Sequence, residues 1–171
     1  MRASSPALTH VPATRPLPAW AWVVFGGIAL GLADLAFAAL FWFLHNGTAP
    51  IRIPQSIAGW ILGPAHARAG GWATALAGAA LYCYVVGAMV AGYLRLSAHR
   101  PRLRGADAWW AGGLYGLAMY GLLFRVVLPL FGTGSHASTM PVQWTLACLA
   151  AYWGIGMGCA WIARASMQRD E

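Results

Sequence analysis

Charge is what this chain has least of. Only 9% of its 171 residues are Asp, Glu, Lys or Arg, and just 4 are acidic, namely Asp34, Asp107, Asp170 and Glu171. Soluble domains carry roughly 25% charged residues, so a water-soluble helical bundle of this composition could not cover its surface. So few carboxylates also leave no pair for general acid–base work. No GxxxxGK[ST], GxGxxG, HExxH or GxSxG pattern occurs, which removes the usual signatures of nucleotide binding, zinc proteolysis and serine hydrolysis. Lys is missing altogether. All 11 basic residues are Arg, which fits codon bias in a GC-rich genome and implies no function. Cysteine is scarce, with Cys83, Cys148 and Cys159 in apolar surroundings and no CxxC or Cys/His spacing for zinc. Cys148 and Cys159 stand about 16 Å apart along one helix, too far for a disulfide, so all three read as packing residues.

Apolar residues dominate instead, at 60% of the chain with a mean hydropathy of +0.59. They gather in four runs, approximately 20–44, 72–96, 108–131 and 144–162. About 20 residues at 1.5 Å each cross the hydrocarbon core, so every run is long enough. The expected fold is therefore an all-α integral membrane protein, a four-helix bundle over 20–163. It is flanked by a Pro-rich disordered tail (1–19) and a short C-terminal tail (164–171). The first run is near 25 residues, longer than the roughly 7–15 of a signal peptide, and reads as a span. The lipid bilayer is the expected partner. A net charge of +7 would suggest nucleic acid in a soluble protein, but these arginines cluster at span ends, where topology and anionic lipid account for them.

The positive-inside rule orients the spans. Arg2, Arg15, Arg95, Arg100, Arg102, Arg104, Arg164 and Arg169 fall on one side, against Arg52 and Arg68 on the other. Both termini are expected in the cytoplasm. Tryptophans at span ends (Trp20, Trp22, Trp109, Trp110 and Trp161 on that side; Trp42, Trp72 and Trp144 on the other) form the aromatic belts of a bilayer protein. The long loop between the first two spans holds a short amphipathic helix near 53–63, with Pro54 at its start and Gly63-Pro64 closing it. It either lies flat on the outer interface, the favoured position, or re-enters between the spans.

Asp34 is the sharpest candidate for a functional group. It lies roughly 15 Å from the outer end of the first span, where insertion costs about 2.5–3.5 kcal/mol and demands compensation. Arg125, about 9 Å deep in the third span, is within reach and makes an intramembrane pair the leading reading. Two others stand beside it: a protonatable Asp34 in a transport pathway, or a neutral Asp34 bonded to a Tyr or a backbone carbonyl while Arg125 snorkels outward. Tyr82, Tyr115 and Tyr120 add polar tips inside the spans, either as a packed aromatic interface or with Tyr82 and Tyr115 bonded across the second and third spans. Small residues four apart (Gly27/Gly31, Gly112/Gly116 and Gly154/Gly158) mark faces where helices approach closely, within the bundle or against another membrane subunit or a second copy. Pro129 is expected to end or kink the third helix. No cofactor or metal is expected. His45, His66 and His136 sit in loops without ligand spacing, and no span offers paired axial histidines for haem.

The segment Ile53-Pro54-Gln55-Ser56-Ile57-Ala58-Gly59-Trp60-Ile61-Leu62-Gly63, with Gly70-Gly71-Trp72-Ala73-Thr74-Ala75 after it, resembles small bacterial inner-membrane proteins of the YagU-like group. Gly31-Leu32-Ala33-Asp34 and Val126-Val127-Leu128-Pro129-Leu130 match further motifs of that group, so the resemblance spans about 26–131. It carries over Asp34, Gln55, Ser56 and Pro129, whereas Tyr82 and Phe124 stand where the group often has His and Asn. The resemblance implies an inner-membrane four-helix protein of unsettled activity. Two functions are open: a non-enzymatic accessory or scaffold component of a membrane complex, or a small proton-coupled transporter or channel using Asp34. An enzyme or pigment-binding subunit is less favoured.

Overall fold

The computed structural model describes residues 17–100, 102–103, 107–131 and 141–167. Nearly all of these are helical, and among them there is no strand. In chain order the elements are α1 (Ala19–Asn46), α2 (Arg52–Leu62), α3 (Pro64–Ala69), α4 (Gly71–His99) and α5 (Ala108–Leu122), then a π-helical turn (Leu123–Val127), α6 (Leu128–Phe131) and α7 (Val142–Met167). Four stretches, Ala19–Asn46, Gly71–His99, Ala108–Leu130 and Val142–Met167, are long and apolar enough to cross a membrane. This is a multi-pass membrane protein, and the expected fold class stands. The helices overrun the expected boundaries by up to five residues, most at the C-terminal end of the fourth span. Most of the N-terminal tail, His10, His136 and residues 168–171 lie outside the described residues.

Each helix end has a local cause. At Gly47 the backbone enters the left-handed region (φ 72°) and its N–H closes onto the Phe43 carbonyl, a conformation glycine adopts without a Cβ clash. Gly63 does the same for α2 at φ 80°, and Pro64 then starts α3, a short helix the sequence did not announce. Asp107 caps α5 by accepting from the Trp109 N–H at 3.0 Å. Pro129 neither ends the third span nor leaves it regular. Its ring has no N–H for the carbonyl of Arg125, four residues back, and would crowd it. The backbone widens there, and the Leu128 N–H bonds to the Leu123 carbonyl five residues earlier.

Large apolar side chains point outward along all four spans, among them Phe25 at 65%, Leu44 at 74% and Trp72 at 73% exposure. In lipid such surface is already solvated, so association depends on close packing rather than on apolar burial. Close packing is what the glycines provide. α1 meets α4 where a Cβ on Gly27 would come 2.6 Å from the Gly87 Cα and one on Gly31 would come 3.0 Å from the Cys83 Sγ. α5 meets α7 where a Cβ on Gly112 would come 2.6 Å from the Gly156 carbonyl oxygen, and Gly116 is equally tight against Tyr152. The Gly154/Gly158 pair requires correction. Gly156, between them, makes the α5 contact, Gly158 faces Leu30 of α1, and Gly154 has no neighbour within 4 Å. At 100° per residue Gly156 points away from the other two, so the run serves two faces.

α2 packs against α4 and not as a free interfacial helix. A Cβ on Gly78 would fall on the Pro54 carbonyl, and Gln55, Ile57, Ala58 and Gly59 are buried. Gly78 lies seven residues into α4, so α2 sits about 10 Å along it. The segment from α2 to α4 is clipped by side-chain bonds. Gln55 Nε2 donates to the Gly71 carbonyl at 2.9 Å, and Thr74 Oγ1 donates to the Ala67 carbonyl at 2.6 Å. Gln55→Leu is expected to loosen α2 by about 0.5–1.5 kcal/mol, since buried Gln55 loses its bonds to the Gly71 carbonyl and from Arg52. Faster hydrogen exchange confined to α2 and α3 checks this.

Candidate functional site

The tight pairings α1–α4 and α5–α7 are joined through α4–α7 and α1–α7 contacts, so α1, α4 and α7 form the centre. Each contributes one polar side chain at a similar level: Asp34, Tyr82 and Tyr152. The Tyr82 hydroxyl donates to Asp34 Oδ2, and Tyr152 lines the same cavity as Tyr82. Both tyrosines are buried, at 5% and 4% exposure. The Tyr120 ring packs on Tyr152 at 5.4 Å and on Phe124 at 4.7 Å, fixing the far side of the cluster. A hydroxyl donor placed this way satisfies a carboxyl away from water and can exchange a proton with it.

This arrangement corrects the expected Asp34–Arg125 pair. Among the described residues Asp34 makes no ion pair, and Arg125 lines a cavity that Asp34 does not line. A depth within reach of the Arg side chain was not enough, because α5 packs on α7 and not on α1. The reading that holds for the geometry is the third one, a carboxyl bonded to a tyrosine. The Tyr82–Tyr115 bond is corrected as well. The Tyr115 hydroxyl donates to the Met89 carbonyl at 2.7 Å, and its ring packs edge-on to Tyr93 at 5.1 Å, two turns away from Tyr82.

Above Tyr82 and Tyr152 opens a cavity of about 1150 Å³, bounded by α1, α2, the π-helical turn and α7. Tyr82, Tyr120, Tyr152, Gln55 and Ser56 all line it, whereas Tyr115 does not. Its walls also carry Arg52, Arg68 and Arg125, with Trp42, Trp60 and Trp144 between them. Arg52 Nη1 donates to Gln55 Oε1 at 3.1 Å, which ties one guanidinium to the α2 clip. Asp34 itself lines a smaller lateral groove of about 320 Å³ between α1 and α7, with Ala33, Ala150, Ala151 and Gly154. The Asp34–Tyr82 bond is thus the partition between groove and cavity. Among the described residues no group of three His, Cys, Asp or Glu could hold a metal.

Tyr152, Arg52 and Arg68 belong to this site and were not singled out from the sequence. Tyr152 had a usable signal. It lies about 12 Å in from Trp144, close to the depth of Asp34 and Tyr82. The two arginines had none, because a basic residue in a loop looks like an orientation marker. No known protein-family model, curated protein or solved structure matches the chain.

Proposed function

We propose that the protein is a small proton-coupled membrane carrier whose ligand enters the cavity and whose titrating group is Asp34. One observation carries this reading: the only carboxyl inside a span is bonded to a tyrosine that forms the floor of a large open cavity. Intramembrane carboxylates of this kind mark proton and solute pathways, and a hydroxyl relay gives Asp34 access to the cavity without opening it to water. By the positive-inside argument the cavity faces outward and both termini face the cytoplasm. The motifs shared with the YagU-like group support treating the site as one unit, since Gln55 and Ser56 line the cavity and Asp34 abuts it.

The test uses proteoliposomes loaded with an isotopically labelled small-molecule extract. Wild-type protein is expected to speed efflux of at least one species under an imposed pH gradient. Asp34→Asn should be recovered at normal yield and lose that gradient dependence. Loss of folded yield in Asp34→Asn, together with no gradient-driven efflux by wild type, would sink the reading.

A second reading, a non-enzymatic accessory subunit, is favoured by the lateral groove. Its small side chains leave room for a partner helix beside Asp34. Recovery of a stoichiometric partner in mild detergent, with Gly154→Leu releasing it, would favour this role.

A further inference from the structure

We infer that the cavity binds an anionic amphiphile, with Arg52, Arg68 and Arg125 on its acidic head and the aromatic and aliphatic walls around its tail. The inference rests on the cavity being a ligand site, as proposed above, and names what occupies it.

Charge balance is the first argument. Three guanidinium groups from three different elements, α2, α3 and the π-helical turn, line one cavity. Among the described residues no carboxylate is paired with them. Of the chain's 4 acidic residues, Asp34 is bonded to Tyr82, Asp107 caps the opposite end of α5, and Asp170 and Glu171 follow the far end of α7 in the sequence. Arg52 spends one of its donors on Gln55 and keeps the others. All three residues are exposed rather than buried, so an anion can reach them, and a planar guanidinium fork matches the paired oxygens of phosphate or carboxylate.

The second argument is the rest of the wall. Leu35, Ile57, Trp60, Phe124, Leu128 and Trp144 offer apolar surface that a small hydrated anion would leave unused. At about 1150 Å³ the cavity also exceeds the roughly 300–1,000 Å³ of ordinary small-molecule pockets. A neutral lipid would fill the walls and leave the arginines unmatched. A molecule with an acidic head and a chain satisfies both parts. The head can belong to an anionic phospholipid drawn from the bilayer or to a free amphiphile.

Purified protein in dodecyl maltoside is titrated with dodecyl phosphate by calorimetry at fixed pH. Saturable binding is expected, weakened at least about tenfold in R52Q/R68Q/R125Q and less in R52K/R68K/R125K, which keeps the charge without the fork and controls for folding. Competition by dioleoyl phosphatidylglycerol would identify a bilayer lipid as the source. Failure to compete would identify a free amphiphile. Unchanged affinity in the glutamine variant would overturn the inference, as would inorganic phosphate binding as tightly as dodecyl phosphate. The titration imposes no pH gradient. Wild-type protein that binds dodecyl phosphate but shows no gradient-driven efflux therefore counts against the carrier reading alone, and absence of Arg-dependent binding in a transporting protein counts against the ligand alone.

Discussion

Gly156→Leu is expected to abolish the folded bundle, seen as loss of the monodisperse peak in detergent and of a cooperative thermal transition. A Cβ at Gly156 would overlap the Gly112 carbonyl and come 2.6 Å from the Gly116 N. Both are backbone atoms of a facing helix, so no rotamer change relieves the contact. Overpacking a core costs about 1–3 kcal/mol when side chains can yield. Here α5 must move away from α7, and in lipid no apolar burial compensates for the lost contact. Gly154→Ala and Gly121→Ala are the controls. Neither glycine has a neighbour within 4 Å, so stability should hold or rise by up to about 1 kcal/mol through helix propensity. Equal damage from Gly154→Ala and Gly156→Ala would show that α7 does not present Gly156 to α5.

The second large effect concerns Asp34 and Tyr82. Tyr82→Phe removes the donor to Asp34 Oδ2 and is expected to cost about 1–3 kcal/mol, the usual result of orphaning a buried polar group. Asp34→Leu combined with Tyr82→Phe removes both partners and should restore most of that stability, which a double-mutant cycle in chemical or thermal denaturation reads as coupling. Arg125→Ala should leave stability near wild type. An intramembrane Asp34–Arg125 ion pair would reverse the pattern, with Arg125→Ala strongly destabilising and Tyr82→Phe close to silent.

The two predictions differ in how far the sequence alone could have led to them. Gly112 and Gly116 could be singled out from spacing, and they do meet α7. Their partner glycine could not, because Gly154, Gly156 and Gly158 are indistinguishable until the rotation of α7 is known. Asp34 was legible because a lone carboxyl in an apolar run has few explanations. Its partner was not. Depth can be counted along a helix, but which helices are neighbours cannot, so Arg125 was the leading partner until α4 and not α5 was found beside α1. Pro129 was legible as a disturbance, though not as the π-helical turn that carries Arg125 onto the cavity wall.

Composition and the length of the apolar runs were sufficient by themselves for the four membrane-spanning helices, because crossing a bilayer with every backbone group satisfied admits few other structures for such a chain. The site was decided by the tertiary structure. Helix rotation and adjacency depend on which small residues let which backbones touch, and those contacts are far apart in the chain. Only packing could bring arginines from two short helices and a widened helical turn onto one cavity, with Asp34 behind its floor.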